Sequence, residues 1–147
     1  MVRIEHAVDI AAPASRVWRA LCDPAEVVRW ESGVIEALDA PTDYPRPGQR
    51  VYWRTTGHPP SILVDEPQVV EAERVLRSLL TVGRTRMDET YTLSPTPTGC
   101  RLTVVVEAVS TVPLLGWAIE RMQLASSIGR DFVVALESIR RYCEAEL

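Results

Sequence analysis

Lysine and asparagine are absent from this chain of 147 residues. All 16 basic side chains are therefore arginine, which excludes Schiff-base chemistry, a phosphate-loop lysine and a Ser-Lys dyad. The lack of asparagine excludes N-glycosylation and a Cys-His-Asn triad. Cysteine is scarce: Cys22, Cys100 and Cys143 are far apart, with no Cys-x-x-Cys pair, the pattern of reduced thiols with a structural role. The two histidines, His6 and His58, are also far apart, and no Cys/His pair has ligand spacing, so neither a metal nor a cofactor is expected. There is no Gly-x-Ser-x-Gly elbow. No apolar run is long enough to span a membrane, and the amino terminus alternates in polarity where a signal peptide would be apolar. A cytoplasmic protein without stable membrane insertion is the expectation. The net charge of −4 has the wrong sign for a nucleic-acid partner.

What is present describes one ordinary folded domain spanning residues 1–147, with 46% hydrophobic and 24% charged residues. Ile4, His6, Val8 and Ile10 alternate with Arg3, Glu5 and Asp9, which predicts a strand with one buried face. Ala14, Val17, Trp18 and Leu21 form a helical stripe after Pro13. Asp23-Pro24-Ala25-Glu26 then reads as a cap, a first-turn proline and a glutamate three residues after the cap, opening a second short helix to about Trp30.

From Gly33 to about Ala108, strand patterns alternate with turn residues: Val34–Leu38, Gln49–Thr56, Ile62–Glu66 continuing through Val69–Glu73, Val75–Val82, Met87–Leu93 and Arg101–Ala108. Pro67 implies a bulge, an edge or a break into two pieces. The acidic cluster Glu66, Glu71 and Glu73 reads as a solvated edge, with Arg74 or Arg77 as partners. After Pro113 one amphipathic helix occupies the rest of the chain, with Ser126-Ser127 and Gly129 as an expected kink.

This order, together with the opening motif Val8-Asp9-Ile10-Ala11-Ala12-Pro13-Ala14-Ser15-Arg16-Val17-Trp18-Arg19-Ala20-Leu21-Cys22-Asp23-Pro24, resembles the START-like or SRPBCC superfamily, which includes polyketide cyclases and lipid-transfer domains. Trp30, the Pro47-Gly48 turn and Tyr91-Thr92-Leu93 before Pro97-Thr98-Gly99-Cys100-Arg101-Leu102 extend the resemblance over the whole chain; Cys100 stands where the family often has threonine. The resemblance implies an α+β helix-grip fold: a curved antiparallel sheet of six to seven strands around a long C-terminal helix, with a cavity between them for a hydrophobic molecule. A single phenylalanine among many Val, Leu and Ala residues agrees with an incompletely filled interior.

Within that cavity His6, on the inward face of the first strand, is a candidate acid, base or ligand anchor; its alternative is a histidine bonded to backbone or water. Glu89 and Tyr91 share a face with Leu93 and would be desolvated if it points inward, whereas a one-residue slip would turn all three out. Trp30 and Trp53 are candidate ligand contacts or core residues, and Met122 and Phe132 are candidate contacts from the long helix. Leu114, Leu115 and Trp117 are candidates for a mouth of the cavity or a membrane-touching lip, although with little more than Arg121 as nearby basic charge strong docking on anionic lipid is not expected. The expected function is binding of a hydrophobic or aromatic, lipid- or polyketide-like molecule by a monomer or homodimer. The alternatives are a polyketide cyclase or aromatase-like enzyme using His6, Glu89 or Tyr91, and a protein-interaction module whose cavity is filled.

Overall fold

The structure, a computed structural model, describes residues 1–57, 60–110 and 117–145, with the side chains of the last segment described from residue 126 onward. The elements follow the order β1 (Val2–Ile10), α1 (Ala14–Cys22), α2 (Pro24–Trp30), β2 (Val34–Leu38), β3 (Val51–Thr55), β4 (Ile62–Glu71), β5 (Val75–Val82), β6 (Thr85–Thr96), β7 (Gly99–Ser110) and α3 (Trp117–Ala145). The strands form one curved antiparallel sheet in the order β1-β7-β6-β5-β4-β3-β2, the helix-grip arrangement expected from the sequence.

Local chemistry sets the first turns. The Pro13 carbonyl accepts from the amides of Arg16 and Val17 and so starts α1. Asp23 caps α2, its side chain accepting from the Ala25 amide at 3.0 Å, and Pro24 occupies the first helical turn, where its missing N–H costs nothing. Glu26 departs from the capping pattern. Its carboxylate accepts from Arg16 at 2.7 Å, Arg19 at 2.9 Å and the Tyr142 hydroxyl at 2.9 Å, which joins α1, α2 and α3 through one largely buried charge cluster.

Register decides which side chains face inward. Across the sheet, His6 pairs with Val104, Val104 with Tyr91, and Tyr91 with Leu76; one row along, Ile4, Val106, Glu89 and Ser78 stand opposite one another. Val104 and Val106 are fully buried, so both rows belong to the concave, inward face, and Glu89, Tyr91 and Leu93 turn in with them. β4 is a single strand in which the register shifts between Pro67 and Val69, so Pro67 sits at a bulge rather than a break. The edge acids pair locally, Glu66 with Arg50 and Glu71 with Arg74, while Arg77 takes Asp88 as its partner. At Gly99, where β7 begins, a Cβ would stand 2.1 Å from the carbonyl oxygen of Ile10, so only glycine permits this approach to the end of β1.

α3 buries Ile128, Ala135, Leu136, Ile139 and Cys143 against the sheet. It packs chiefly on β1, with further contacts to β7, α1 and α2. It is one helix through Ser126, Ser127 and Gly129. Gly129 lies against β1, its Cβ position 3.9 Å from His6 Nε2. Leu114, Leu115 and the side chain of Trp117, the expected mouth, lie outside the described residues. No described helix is long and apolar enough to cross a membrane. All three cysteines are buried, and burial pushes the Cys22 thiol up to about 12.

Candidate functional site: an acid-lined cavity under the sheet

Among the described residues, α3 packs chiefly on β1, and the concave face of β3 to β6 is covered by the end of α2, the residues that follow it and Asp131 and Val134 of α3. A cavity of about 480 Å³ remains there, within the roughly 300–1,000 Å³ usual for small-molecule sites. Leu63, Leu76 and Leu80 supply aliphatic wall from β4 and β5, and Asp131 and Val134 reach the rim from α3.

Two tryptophans shape the walls. Trp30 is buried, and its indole N–H donates to the Ala20 carbonyl at 2.8 Å, which fixes the ring at the end of α2. The Ser138 hydroxyl donates to the Trp30 carbonyl and ties α3 to this point. Trp53, equally buried, donates to Asp65 Oδ2 at 3.1 Å and meets the Tyr44 ring edge-on, with centroids 6.1 Å apart. Each tryptophan is thus core and cavity wall at once, its polar edge already engaged and its ring available for contact.

The polar groups of the cavity are acids and hydroxyls. Asp65, 5% exposed, accepts from the Tyr44 hydroxyl at 2.5 Å through Oδ2, the atom that also receives Trp53. Burial raises its pKa, and the hydroxyls of Tyr44 and Ser78 and the Trp53 indole act in the opposite direction. Glu89 stands directly opposite Ser78 on the cavity floor. Burial, followed by the negative fields of Asp65 and Glu31, pushes Glu89 up to about 8, so its carboxyl is largely protonated at neutral pH. Glu31, just past α2, accepts from the Gly33 amide at 3.0 Å and is raised by burial and, to a smaller extent, by Asp131. Tyr91, one inward position along from Glu89, and Tyr44 are both held well above the usual phenol range by burial.

Of the residues singled out from sequence, Trp30, Trp53, Glu89 and Tyr91 meet in this cavity. His6 does face inward, but it lies two strands from Tyr91, beyond Val104 and beside Gly129 of α3, and does not line the cavity. Phe132 packs against the hydrophobic core instead of the cavity. The side chain of Met122 and residue His58 lie outside the described residues. Sequence reasoning missed Asp65, Tyr44, Glu31 and Ser78. For Asp65 and Ser78 a signal exists, since each is the polar member of an inward alternation, Leu63-Asp65-Pro67 and Leu76-Ser78-Leu80. Tyr44 comes from an irregular loop, which carries no periodicity.

Chemically, a carboxyl that titrates near 8 in a partly apolar cavity, with a phenol beside it, can donate a hydrogen bond to a bound oxygen or transfer a proton. Among the described residues, no group of three or more His, Cys, Asp or Glu side chains is arranged to hold a metal ion.

Residues 1–144 match the family described as polyketide cyclase / dehydrase and lipid transport. Among solved structures, the chain is similar to the Zhui aromatase/cyclase from a Streptomyces species, with a TM-score of 0.78 at 18% identity, covering 97% of this chain and 93% of that one. It is similar to protein CV1439 from Chromobacterium violaceum, with a TM-score of 0.77 at 18% identity, covering 98% of this chain and 99% of that one. It also resembles DynU16, a protein of the dynemicin biosynthetic locus, with a TM-score of 0.74 at 19% identity, covering 99% of this chain but 48% of that one. At these identities the likeness concerns the fold. None of the curated proteins matches the chain. The family match over nearly the full length and the helix-grip architecture agree: the chain belongs to the polyketide cyclase/dehydrase and lipid transport family.

Proposed function

We propose that this protein acts in the cytoplasm, enclosing a hydrophobic or aromatic small molecule between the sheet and α3. The observation that carries the reading is the cavity of about 480 Å³ in which Trp30, Trp53 and Tyr91 meet aliphatic walls and a few convergent polar groups. The aromatase/cyclase and biosynthetic-locus proteins among the fold relatives support a polyketide-like ligand. An open volume of this size also weakens the interaction-module alternative, which needs a filled interior.

A second reading, acid-base catalysis on the bound molecule, is favoured by Glu89, whose proton is exchangeable near pH 8 and which neighbours Tyr91. In that reading the cavity folds the substrate and Glu89 moves a proton.

The test is titration with the neutral fluorophore N-phenyl-1-naphthylamine, alongside native mass spectrometry before and after organic extraction. Saturable, blue-shifted uptake by the wild type that disappears in a folded Ser78→Phe variant supports the proposal; equal uptake by both proteins, or none by either, overturns it. Once a substrate is in hand, Glu89→Gln separates the two readings, because a catalytic Glu89 loses turnover while the ligand still binds.

A further inference from the structure

We infer that the cavity is built for a ligand whose apolar, aromatic body carries a positively charged nitrogen, received by Glu89 and Asp65. The inference rests on the ligand-binding reading above and deepens it.

The cavity brings together four carboxyl groups from four separate parts of the chain: Glu31 after α2, Asp65 on β4, Glu89 on β6 and Asp131 on α3. Among the described residues no arginine or histidine lines it, although the chain contains 16 arginines. Elsewhere several acids have arginine partners: Glu26 with Arg16 and Arg19, Asp88 with Arg77, Asp9 with Arg101, and Glu137 with Arg140 and Arg141. Inside the cavity the matching stops. Among the described residues Glu89 forms neither a hydrogen bond nor an ion pair, and the charged groups that act on it are the carboxylates Asp65 and Glu31.

Asp65 is an independent sign. It is 5% exposed and lines the cavity; Oδ2 takes the Tyr44 and Trp53 donors and the Ser78 hydroxyl acts on the same carboxyl, while Oδ1 lacks a hydrogen bond of ordinary geometry. A buried carboxylate oxygen without a donor costs free energy unless something supplies one. The rings of Trp30, Trp53, Tyr44 and Tyr91 add faces that attract a cation. Among the described residues, a fatty acid or other anion would meet no positive charge here.

Among the described residues, the titratable groups around Glu89 are Glu31, Tyr44, Asp65, Tyr91 and Asp131, from the end of α2, the β2–β3 connection, β4, β6 and α3. None brings positive charge. A cation that stabilises ionised Glu89 must therefore bind more tightly as pH rises toward 8, where the proton leaves without assistance. A neutral ligand that accepts a hydrogen bond from protonated Glu89 shows the opposite trend.

The deciding experiment is isothermal titration of the full chain with three probes on one skeleton: 2-naphthylmethylamine, 2-naphthylmethanol and 2-naphthoate, from pH 6 to 8.5. The expected order is amine, alcohol, carboxylate, with the amine about tenfold tighter than the alcohol near pH 8 and its advantage growing with pH. Glu89→Gln should remove most of that advantage, read as the ratio of amine to alcohol affinity and its pH dependence; Glu31→Gln should reduce it in part. An alcohol that equals the amine, a carboxylate that binds best, or an amine preference untouched in both variants overturns the inference and leaves the cavity reading standing. Failure of all three probes to bind overturns both.

Discussion

The Tyr44 hydroxyl donates to Asp65 Oδ2 at 2.5 Å, so a loop before β3 is latched to the middle of β4 beneath the Trp53 ring. This contact sets one wall of the cavity and holds the more deeply buried of its carboxylates. Tyr44→Phe keeps the ring and removes the donor. It should cost about 2 kcal/mol in chemical denaturation, as expected for a hydrogen bond to a charged group. Trp53 fluorescence should shift because the Asp65 Oδ2 atom that its indole N–H donates to has lost its other donor. Unchanged stability and emission would show that the latch contributes nothing.

Glu89 gives a pH signature. Its folded pKa, about 8, is raised above the ordinary carboxylate value of 4.5. Between those two pH values the folded state holds a proton that the unfolded chain has released. Its contribution to stability is thus complete below about 4.5, falls as pH rises, and levels off above 8. Glu89→Gln removes this dependence. The melting-temperature gap between Glu89→Gln and wild type should widen from pH 5 to 8 in favour of the variant and then stay constant. A pH-independent gap would contradict the raised pKa.

The Arg16–Glu26 pair tests burial. Both side chains are nearly sequestered, at 7% and 11% exposure, and Tyr142 completes the cluster with its hydroxyl. Glu26→Ala removes the carboxylate that pairs with the buried Arg16 and receives the Tyr142 hydroxyl, and should cost about 3–5 kcal/mol. Asp9→Ala, which breaks the exposed pair with Arg101, should cost less than about 1 kcal/mol. The Tyr142 and Arg16 hydrogen bonds lower the Glu26 pKa against the opposing effect of burial, so this cluster stabilises above pH 4.5 and weakens as acidification protonates Glu26. Equal losses in the two variants, measured by urea denaturation, would refute the ranking.

Two glycines should behave oppositely. Gly99→Ala drives a methyl into the Ile10 carbonyl, 2.1 Å from the Cβ position, and should separate the ends of β1 and β7, with a loss above about 2 kcal/mol or failure to fold. Gly129→Ala has its nearest neighbour, His6 Nε2, at 3.9 Å and lies within α3, so it should stabilise by up to about 1 kcal/mol. Thermal melts of both variants check the contrast.

The order and type of the elements were legible because each carries its own periodicity. Val75–Val82 and Val34–Leu38 have the same bounds in sequence and structure, and Pro24 and Asp23 mark the start of α2 as their chemistry requires. Side-chain alternation even placed Glu89, Tyr91 and Leu93 on one face. It could not say which face, since strand period two is symmetric under a one-residue slip and only the pairing of Glu89 with Val106 and Ser78 breaks that symmetry.

The site itself was decided by tertiary structure. His6 is as inward-facing as its pattern predicted, yet α3 settles over β1 and places Gly129 against it, so the open volume forms two strands away. Glu26 satisfies the spacing of a capping box, but Arg16, Arg19 and Tyr142 offer its carboxylate stronger partners. Asp65, Glu31 and Tyr44 come from separate segments and meet only when the sheet curves. The sequence by itself determined the order of strands and helices, because local pattern and turn chemistry suffice for it, and its family resemblance implied the helix-grip arrangement. The acid-lined cavity was decided by the packing of α3, because where a helix rests on a sheet depends on the summed shape of both surfaces and on no single segment.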